Sequence, residues 1–431
     1  MTQDAAHGAD TRLTIAASAL ARFFRILGPG LVTGAADDDP SGIGTYSIAG
    51  AQFGFGVLWT AWFSAPLMAS AQVLCSRLAL ITGRGLASLI RERFGLWILW
   101  PACVFLTVAN VANIAADLGA MAASTAMIFR VPAYCFTPLY TAALLALMIW
   151  TSYHAIARIF KWMTLVLFAY VIAALLAHPA WDRVLRATFI PHVEWSASYL
   201  AAFVAILGTT ISPYLFFWQA NQEIEEEVEH GKITLAQRRG ATGQEKRDSR
   251  TDVVTGAVFS NLVMYFIILT AGATLHAHGE IHIGTTEQAA EALRPFAGRT
   301  AYLLFTLGIV GTGMLCVPVL AGSTAYAIAE AAKWRVSLRC PPHRAPQFYR
   351  VLAAAFAIGL ALNFAGVGAI DMLFWSAILN GLLAPPLLFL VVRMASDPVV
   401  MGGDTVSPLL RALGWFTTIV MTLAAIAMFV V

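Results

Sequence analysis

The chain has 431 residues, of which 59% are hydrophobic and only 12% charged, with a formal net charge of +3. A soluble globular chain carries roughly 25% charged residues, so this composition excludes a water-soluble domain, and so small a net charge gives no footing for a nucleic-acid partner. Apolar runs of about 20 residues, the length that crosses a bilayer core as a helix, recur along the chain without the alternation of membrane strands. The expected fold class is an all-α membrane protein, with the lipid bilayer as its surroundings.

Residues 1–26 lack the order of charge, apolar core and cleavage site that marks a signal peptide and are read as a cytoplasmic N-terminal segment. About eleven spans follow, near 27–50, 55–80, 97–128, 134–153, 160–178, 197–221, 252–275, 300–330, 350–367, 371–392 and 408–430. Basic residues favour the cytoplasmic side of a membrane. With the N-terminus inside, only Arg130, Arg183, Arg186, Arg294 and Arg299 of the 27 Lys and Arg fall outside. This asymmetry predicts a cytoplasmic N-terminus, an external C-terminus and residence in the cell (inner) membrane.

The first span holds GAADDDPSGIG, residues 34–44, whose Asp37, Asp38 and Asp39 are the only charges between Ile26 and Ser76. Pro40 removes a helical hydrogen bond and clashes with the preceding turn, and Gly34, Gly42 and Gly44 lower the resistance to unwinding. In lipid, backbone freed in this way must be buried in protein or line a cavity. Carbonyls near Ala35 and Ala36, together with a carboxylate, make a site for a hard cation. The bland alternative is that Asp39 caps a helix restarting at Pro40. That leaves Asp37 and Asp38 unexplained, since each ionised group at the bilayer centre costs roughly 2.5–3.5 kcal/mol on insertion scales.

The third span carries Asp117, with Asn110 and Asn113 on about the same face, and an intramembrane carboxylate is a functional candidate. The sixth span, GTTISPYLFFWQ, breaks at Pro213. Thr209, Thr210, Ser212 and Tyr214 offer hydroxyls there, and the Thr209 carbonyl is expected to be freed, although Ser and Thr commonly bond back to their own helix. The polar stretch 222–250 reads as a solvated cytoplasmic helix and loop. Outside, a short helix is expected from Thr286 to Leu293, capped by Thr285 or Thr286, and His276, His278 and His282 read as ordinary loop histidines. Glu330 and Asp371 are expected at the interfaces, and Asn380 in the tenth span is a weaker site candidate. The five cysteines show no CxxC and read as buried structural thiols.

Five spans separate the two prolines, so the second half enters the membrane in the opposite sense, the inverted-repeat pattern of many secondary transporters. Residues 27–195 form the expected first repeat, 196–395 the second, and 396–431 an additional helix. No GxxxxGK[ST] motif is present for ATP-driven transport, and nothing suggests an enzyme, a cofactor or an obligate protein partner.

The stretches GPGLVTGAADDDPSGIGTYSIAGAQFG, AADLGAMAAS and GTTISPYLFFWQA resemble the first, third and sixth helices of Nramp-type divalent metal transporters. The resemblance runs over about residues 25–395. It implies the five-plus-five fold of the LeuT type and uptake of manganese and iron with protons. The family's Asp-Pro-Gly-Asn motif is matched by Asp39 and Pro40, with Ser41 and Gly42 replacing Gly and the metal-binding Asn. Ser212-Pro213-Tyr214 stands for Met-Pro-His. Asp117 matches, while Asn110 and Ala120 stand where family members have Glu, and Tyr214 and Gln219 stand for two histidines associated with proton movement. Losing the thioether removes a soft ligand. The pattern is similar to the Nramp-related magnesium transporters, which carry Mg²⁺ and Mn²⁺ without evident proton coupling.

The expectation is a secondary transporter of divalent cations, Mg²⁺ and Mn²⁺ first, working by alternating access with protons as a candidate coupled ion. Asp39 is its main ligand, with Ala36, Thr209 and Ser212 assisting, Asp117 setting the charge of the path, and Asp38, Gly42, Tyr214 and Asn380 in the surroundings. An amino-acid or organic-cation symporter of the same fold is the alternative, which the acidic triplet disfavours by repelling a substrate carboxylate.

Overall fold

Two prolines set the architecture, because each divides one membrane-crossing segment into two helices. The structure, a computed structural model, describes residues 27–151, 166–366 and 368–430. The first span runs as α1 (Pro29–Asp37) and α2 (Pro40–Phe53), interrupted at Asp38 and Asp39. Next come α3 (Trp59–Thr82), the short α4 (Leu86–Phe94), α5 (Leu96–Phe129) and α6 (Ala133–Trp150). After α7 (Phe168–Leu176) and the amphipathic α8 (Trp181–Phe189), the sixth span runs as α9 (Ala197–Thr210) and α10 (Pro213–Glu229), interrupted at Ile211 and Ser212. The second half continues with α11 (Gly243–Thr274), the short α12 (Thr286–Glu291), α13 (Ala301–Ala331), α14 (Pro346–Leu362), α15 (Ala369–Ala395) and α16 (Pro408–Val430).

Among the described residues nine helical stretches are long and apolar enough to cross a membrane. The predicted first span is absent from that set because every membrane-long stretch of it contains all three of Asp37, Asp38 and Asp39, whereas the sixth, broken in the same way but apolar, is in it. The predicted fifth span begins outside the described residues, as do residues 1–26 with Arg12, Arg22 and Arg25, and the loop residues Arg158 and Lys161.

The broken helices sit in the middle of the bundle, and backbone approach holds them there. A Cβ on Gly34 of α1 would lie 2.4 Å from the Gly256 carbonyl of α11, and one on Gly208 of α9 would lie 2.3 Å from the Gly381 nitrogen of α15. Small residues that let helix backbones touch are the usual glue of membrane bundles. This corrects the expectation that Gly34 eases unwinding: it lies within α1, where its lack of a side chain serves packing. Around this centre, α5 packs along α13 and α15, and α11 runs against both halves of the first span.

Three further expectations are revised. The stretch 222–250 is solvated only in its later part: residues 229–250 are exposed or half-buried, but α10 continues to Glu229, and Glu223, Glu225 and Glu227 on it are buried. Glu225 accepts from Tyr326 Oη (2.9 Å) and Ser337 Oγ (3.2 Å), partners supplied by α13 and the loop after it. Glu330 is also buried, and it accepts from the Ser88 N–H (3.0 Å) at the start of α4, while Asp371 is exposed. Cys75, Cys103 and Cys316 are buried, but Cys135 is exposed and Cys340 half-buried. Helix α12 is capped by Thr285, with Gln288 completing a capping box. His276 and His278 turn their Nδ1 atoms to the carbonyls of Ala51 (2.8 Å) and Thr274 (2.5 Å).

Candidate metal centre at the two helix breaks

At the first break the backbone changes conformation over two residues. Asp38 ends α1, and Asp39 takes an extended conformation (φ −71°, ψ 170°) with Pro40 in the first turn of α2. Asp39 Oδ1 accepts from the Gly42 N–H at 2.5 Å, so the expected capping role is real. It leaves Oδ2 for other partners. At the second break Ser212 is likewise extended (φ −73°, ψ 136°) before Pro213, but its side chain does not cap α10. The Ser212 hydroxyl donates back to the carbonyls of Gly208 (2.8 Å) and Thr209 (2.6 Å), satisfying oxygens that Pro213 leaves free.

The two breaks face each other. Tyr214 Oη, one residue past Pro213, donates to the Ala36 carbonyl near the end of α1 at 3.0 Å. Tyr46 Oη and Thr210 Oγ1 are 3.1 Å apart, and a Cβ on Gly42 would come within 3.3 Å of Thr209 Oγ1. Space beside Gly42 is thus already taken by Thr209 and Tyr46, rather than being open as its small size suggests. The C-terminal ends of α1 and α9 both point into this region. Each brings the negative end of a helix dipole and carbonyls without intrahelical partners.

The acidic triplet divides. Asp37 Oδ2 and Asp38 Oδ1 both accept from Ser260 of α11, at 2.6 and 3.2 Å. Asp39 Oδ2 instead meets the Cys316 thiol of α13 at 3.6 Å. Asp117 of α5 joins this second group: one ligand atom each from Asp39, Asp117 and Cys316 lie within 4.8 Å of one another, all three residues buried. Among the described residues this is the one His, Cys, Asp and Glu grouping able to hold a metal ion. Neither Asp117 oxygen has a hydrogen bond of normal geometry; the Ser41 N–H and the Cys316 thiol are the donors that face it. Buried carboxyl groups in this setting are relieved by a counter-charge or by a proton, because an unpaired charge in low dielectric is costly.

Asn380 lies on α15 one turn beyond Ser376, which meets Ser41 Oγ at 3.1 Å; both polar atoms of its buried side chain lack hydrogen-bond partners. Asn110 is tied to α13 through the Leu320 carbonyl (3.1 Å) and Thr324 Oγ1 (2.9 Å), a packing role.

Three features of the centre escape the sequence reading. Cys316 carries only the signal of a mid-span position two residues before Pro318. Ser260 gives no signal by itself. The third is a polar chain at the α1 end of the bundle. Thr33 Oγ1 donates to Gln219 Oε1 (2.7 Å), Gln219 Nε2 to Glu223 Oε1 (2.9 Å), and Ser249 Oγ to that same oxygen (2.8 Å). Beside it the Asp252 carboxylate accepts from the N–H groups of Gly28, Gly30 and Leu31, closing the N-terminus of α1.

Comparisons with known proteins agree with this arrangement. Residues 30–431 match the family model described as Nramp, natural resistance-associated macrophage protein-like. The chain is 28% identical to a divalent metal cation transporter MntH of Deinococcus radiodurans over 72% of this chain and 70% of that one. It is 22% identical to the MntH of Brucella suis biovar 1 over 96% and 88%. In three dimensions it resembles the Eremococcus coleocola manganese transporter, with a TM-score of 0.75 at 17% identity over 95% of this chain and 86% of that chain. It also resembles Mhp1, a nucleobase-cation-symport-1 family transporter, with a TM-score of 0.60 at 13% identity over 93% and 92%. These likenesses carry the fold, an all-helical inverted repeat of the LeuT type. With the family model spanning nearly the whole chain, this protein belongs to the Nramp family of membrane transport proteins.

Proposed function

We propose that this chain is a secondary transporter of divalent metal cations, binding its ion between the two helix breaks and moving it by alternating access. One observation carries the reading: the Ala36 carbonyl end of α1 meets Tyr214 beyond the second proline, beside a buried cluster of Asp39, Asp117 and Cys316. Helix C-terminal dipoles, the carbonyl ends of two helices and carboxylates converge there, and each of these attracts a cation. The relatives named as divalent metal cation transporters support the same substrate class.

Mn²⁺ and Mg²⁺ are the proposed ions, since oxygens dominate the centre. Asp39 is the principal ligand, Asp117 supplies the second charge, and the Ala36 and Thr209 carbonyls with Ser212 complete the surroundings through water or directly. Residues 27–195 and 196–395 are the two repeats, with α16 added, in the cell membrane with the N-terminus inside. A symporter for amino acids fits less well, because four buried carboxylates at one centre oppose a substrate carboxylate.

Flux of Mn²⁺, Mg²⁺ and Ca²⁺ into proteoliposomes, with and without a pH gradient, tests the reading. Asp39→Ala is expected to abolish divalent cation flux, and full flux in that variant would overturn the site.

A further inference from the structure

The sequence resemblance implies a site that lost its sulfur when Ser212 took the place of methionine. The structure brings a sulfur back from a different helix. We infer that Cys316 is a metal ligand of the transport centre and sets its preference for softer divalent ions over Mg²⁺; this rests on the transport reading above.

The packing of three helices creates the arrangement. On α13, Gly313 stands one turn before Cys316, and a Cβ there would lie 2.4 Å from Met121 Sδ and 3.3 Å from Pro40 Cγ. Glycine at this point lets α13 press against α5 and the start of α2 together. Asp117 is one turn before Met121 on the same face of α5. The result is that Cys316, Asp117 and Asp39 converge from α13, α5 and the first break.

The spacing fits one ion. Ligands at about 2.1 Å (oxygen) and 2.3 Å (sulfur) from a shared metal at a tetrahedral angle stand about 3.6 Å apart. Asp39 Oδ2 and Cys316 Sγ are 3.6 Å apart, and the third ligand atom, from Asp117, completes the set within 4.8 Å. Asp117 is the independent sign of a ligand: it is fully buried, and neither of its oxygens has a well-formed hydrogen bond. When an ion binds, the thiol proton that now faces Asp39 leaves to solvent and the sulfur lone pair takes the metal. A thiolate favours soft and borderline ions and contributes little to Mg²⁺, which holds to oxygen and water. One sulfur among oxygens therefore tilts an otherwise hard centre toward Mn²⁺, and much further toward Cd²⁺.

Cd²⁺ is the probe. The purified wild-type protein, titrated with Cd²⁺, is expected to develop the ultraviolet sulfur-to-cadmium charge-transfer absorption, saturating at one ion per chain. Competition by Mg²⁺ gives the relative affinity. In Cys316→Ser the absorption is expected to disappear. The Cd²⁺ over Mg²⁺ preference should fall by at least the roughly 10–100-fold that losing even an outer-shell partner costs a metal site. Should Cys316→Ser fail to fold, a protein with Cys75, Cys103, Cys135 and Cys340 all changed to alanine assigns the signal instead, and it should keep the band. No band in the wild type, a band retained in Cys316→Ser, or an unchanged Cd²⁺/Mg²⁺ preference would each overturn the inference. Asp39→Ala separates the two levels. If it stops Mn²⁺ flux while Cys316 gives no signal, only the cysteine assignment fails. If it transports normally, the site reading itself fails.

Discussion

An Asp39→Asn substitution keeps an oxygen to accept from the Gly42 N–H but removes the negative charge, so it separates the two roles that meet in this residue. Asparagine caps a helix as well as aspartate does. If Asp39 serves only to start α2, Asp39→Asn transports normally. With Asp39 as a cation ligand, the expected outcome is a melting temperature near wild type and Mn²⁺ flux down at least about tenfold, the equivalent of 1.4 kcal/mol. Asp39→Ala should lose the cap as well, costing about 1 kcal/mol more in stability. Thermal unfolding in detergent and proteoliposome flux, read together on both variants, decide between the roles. The sequence makes Asp39 and Asp117 legible because a carboxylate inside an apolar run has few reasons to be there. Cys316 is not legible in the same way. A thiol is at home in any hydrophobic core, and only the approach of α13 to the first break gives this one a carboxylate neighbour.

At the scale of the helices, the breaks are only partly legible: proline removes a hydrogen bond of the preceding turn, yet Pro66, Pro101, Pro138, Pro318, Pro385 and Pro386 lie inside continuous helices. The two interruptions fall immediately before Pro40 and Pro213, where polar residues, Asp39 and Ser212, precede the proline. Close packing is different, because it depends on a partner distant in the chain. Gly34 reads as a helix weakener until Gly256 is found against it. Gly34→Ala is therefore expected to destabilise the protein by roughly 1–3 kcal/mol, the cost of overpacking, through pushing α1 away from α11. Gly56→Ala, whose added Cβ would meet nothing nearer than 4.0 Å, is the control and should leave the melting temperature unchanged. Equal melting of the two variants would show that α1 is not held by backbone contact. The acidic run 223–229 misleads for the same reason as Gly34. Its composition suggests solvent, but Tyr326, Ser337 and Arg339 come from elsewhere to surround Glu225.

For the molecule as a whole, alternating access requires that the two ends of the bundle belong to opposite sides of the membrane, and two native cysteines report on which is which. Cys135 is exposed at the start of α6, beyond the third span, and half-buried Cys340 lies in the loop between α13 and α14. On the proposed orientation, with the loops rich in Lys and Arg in the cytoplasm, the first would lie outside and the second inside. The same assignment puts the closed end of α1, with Asp252 on its N–H groups and the chain from Thr33 through Gln219 and Glu223 to Ser249, on the cytoplasmic side. Opening that end to release an ion inward would break these bonds together, so on this orientation they would form the inner gate. An impermeant maleimide applied to intact cells is expected to label Cys135 and to spare Cys340 until the membrane is permeabilised, with Cys135→Ser and Cys340→Ser identifying each signal. Labelling of Cys340 in intact cells, with Cys135 protected, would invert the molecule. The Thr33 chain and Asp252 would then close the outer face, where they would hold the ion after capture instead of guarding its exit.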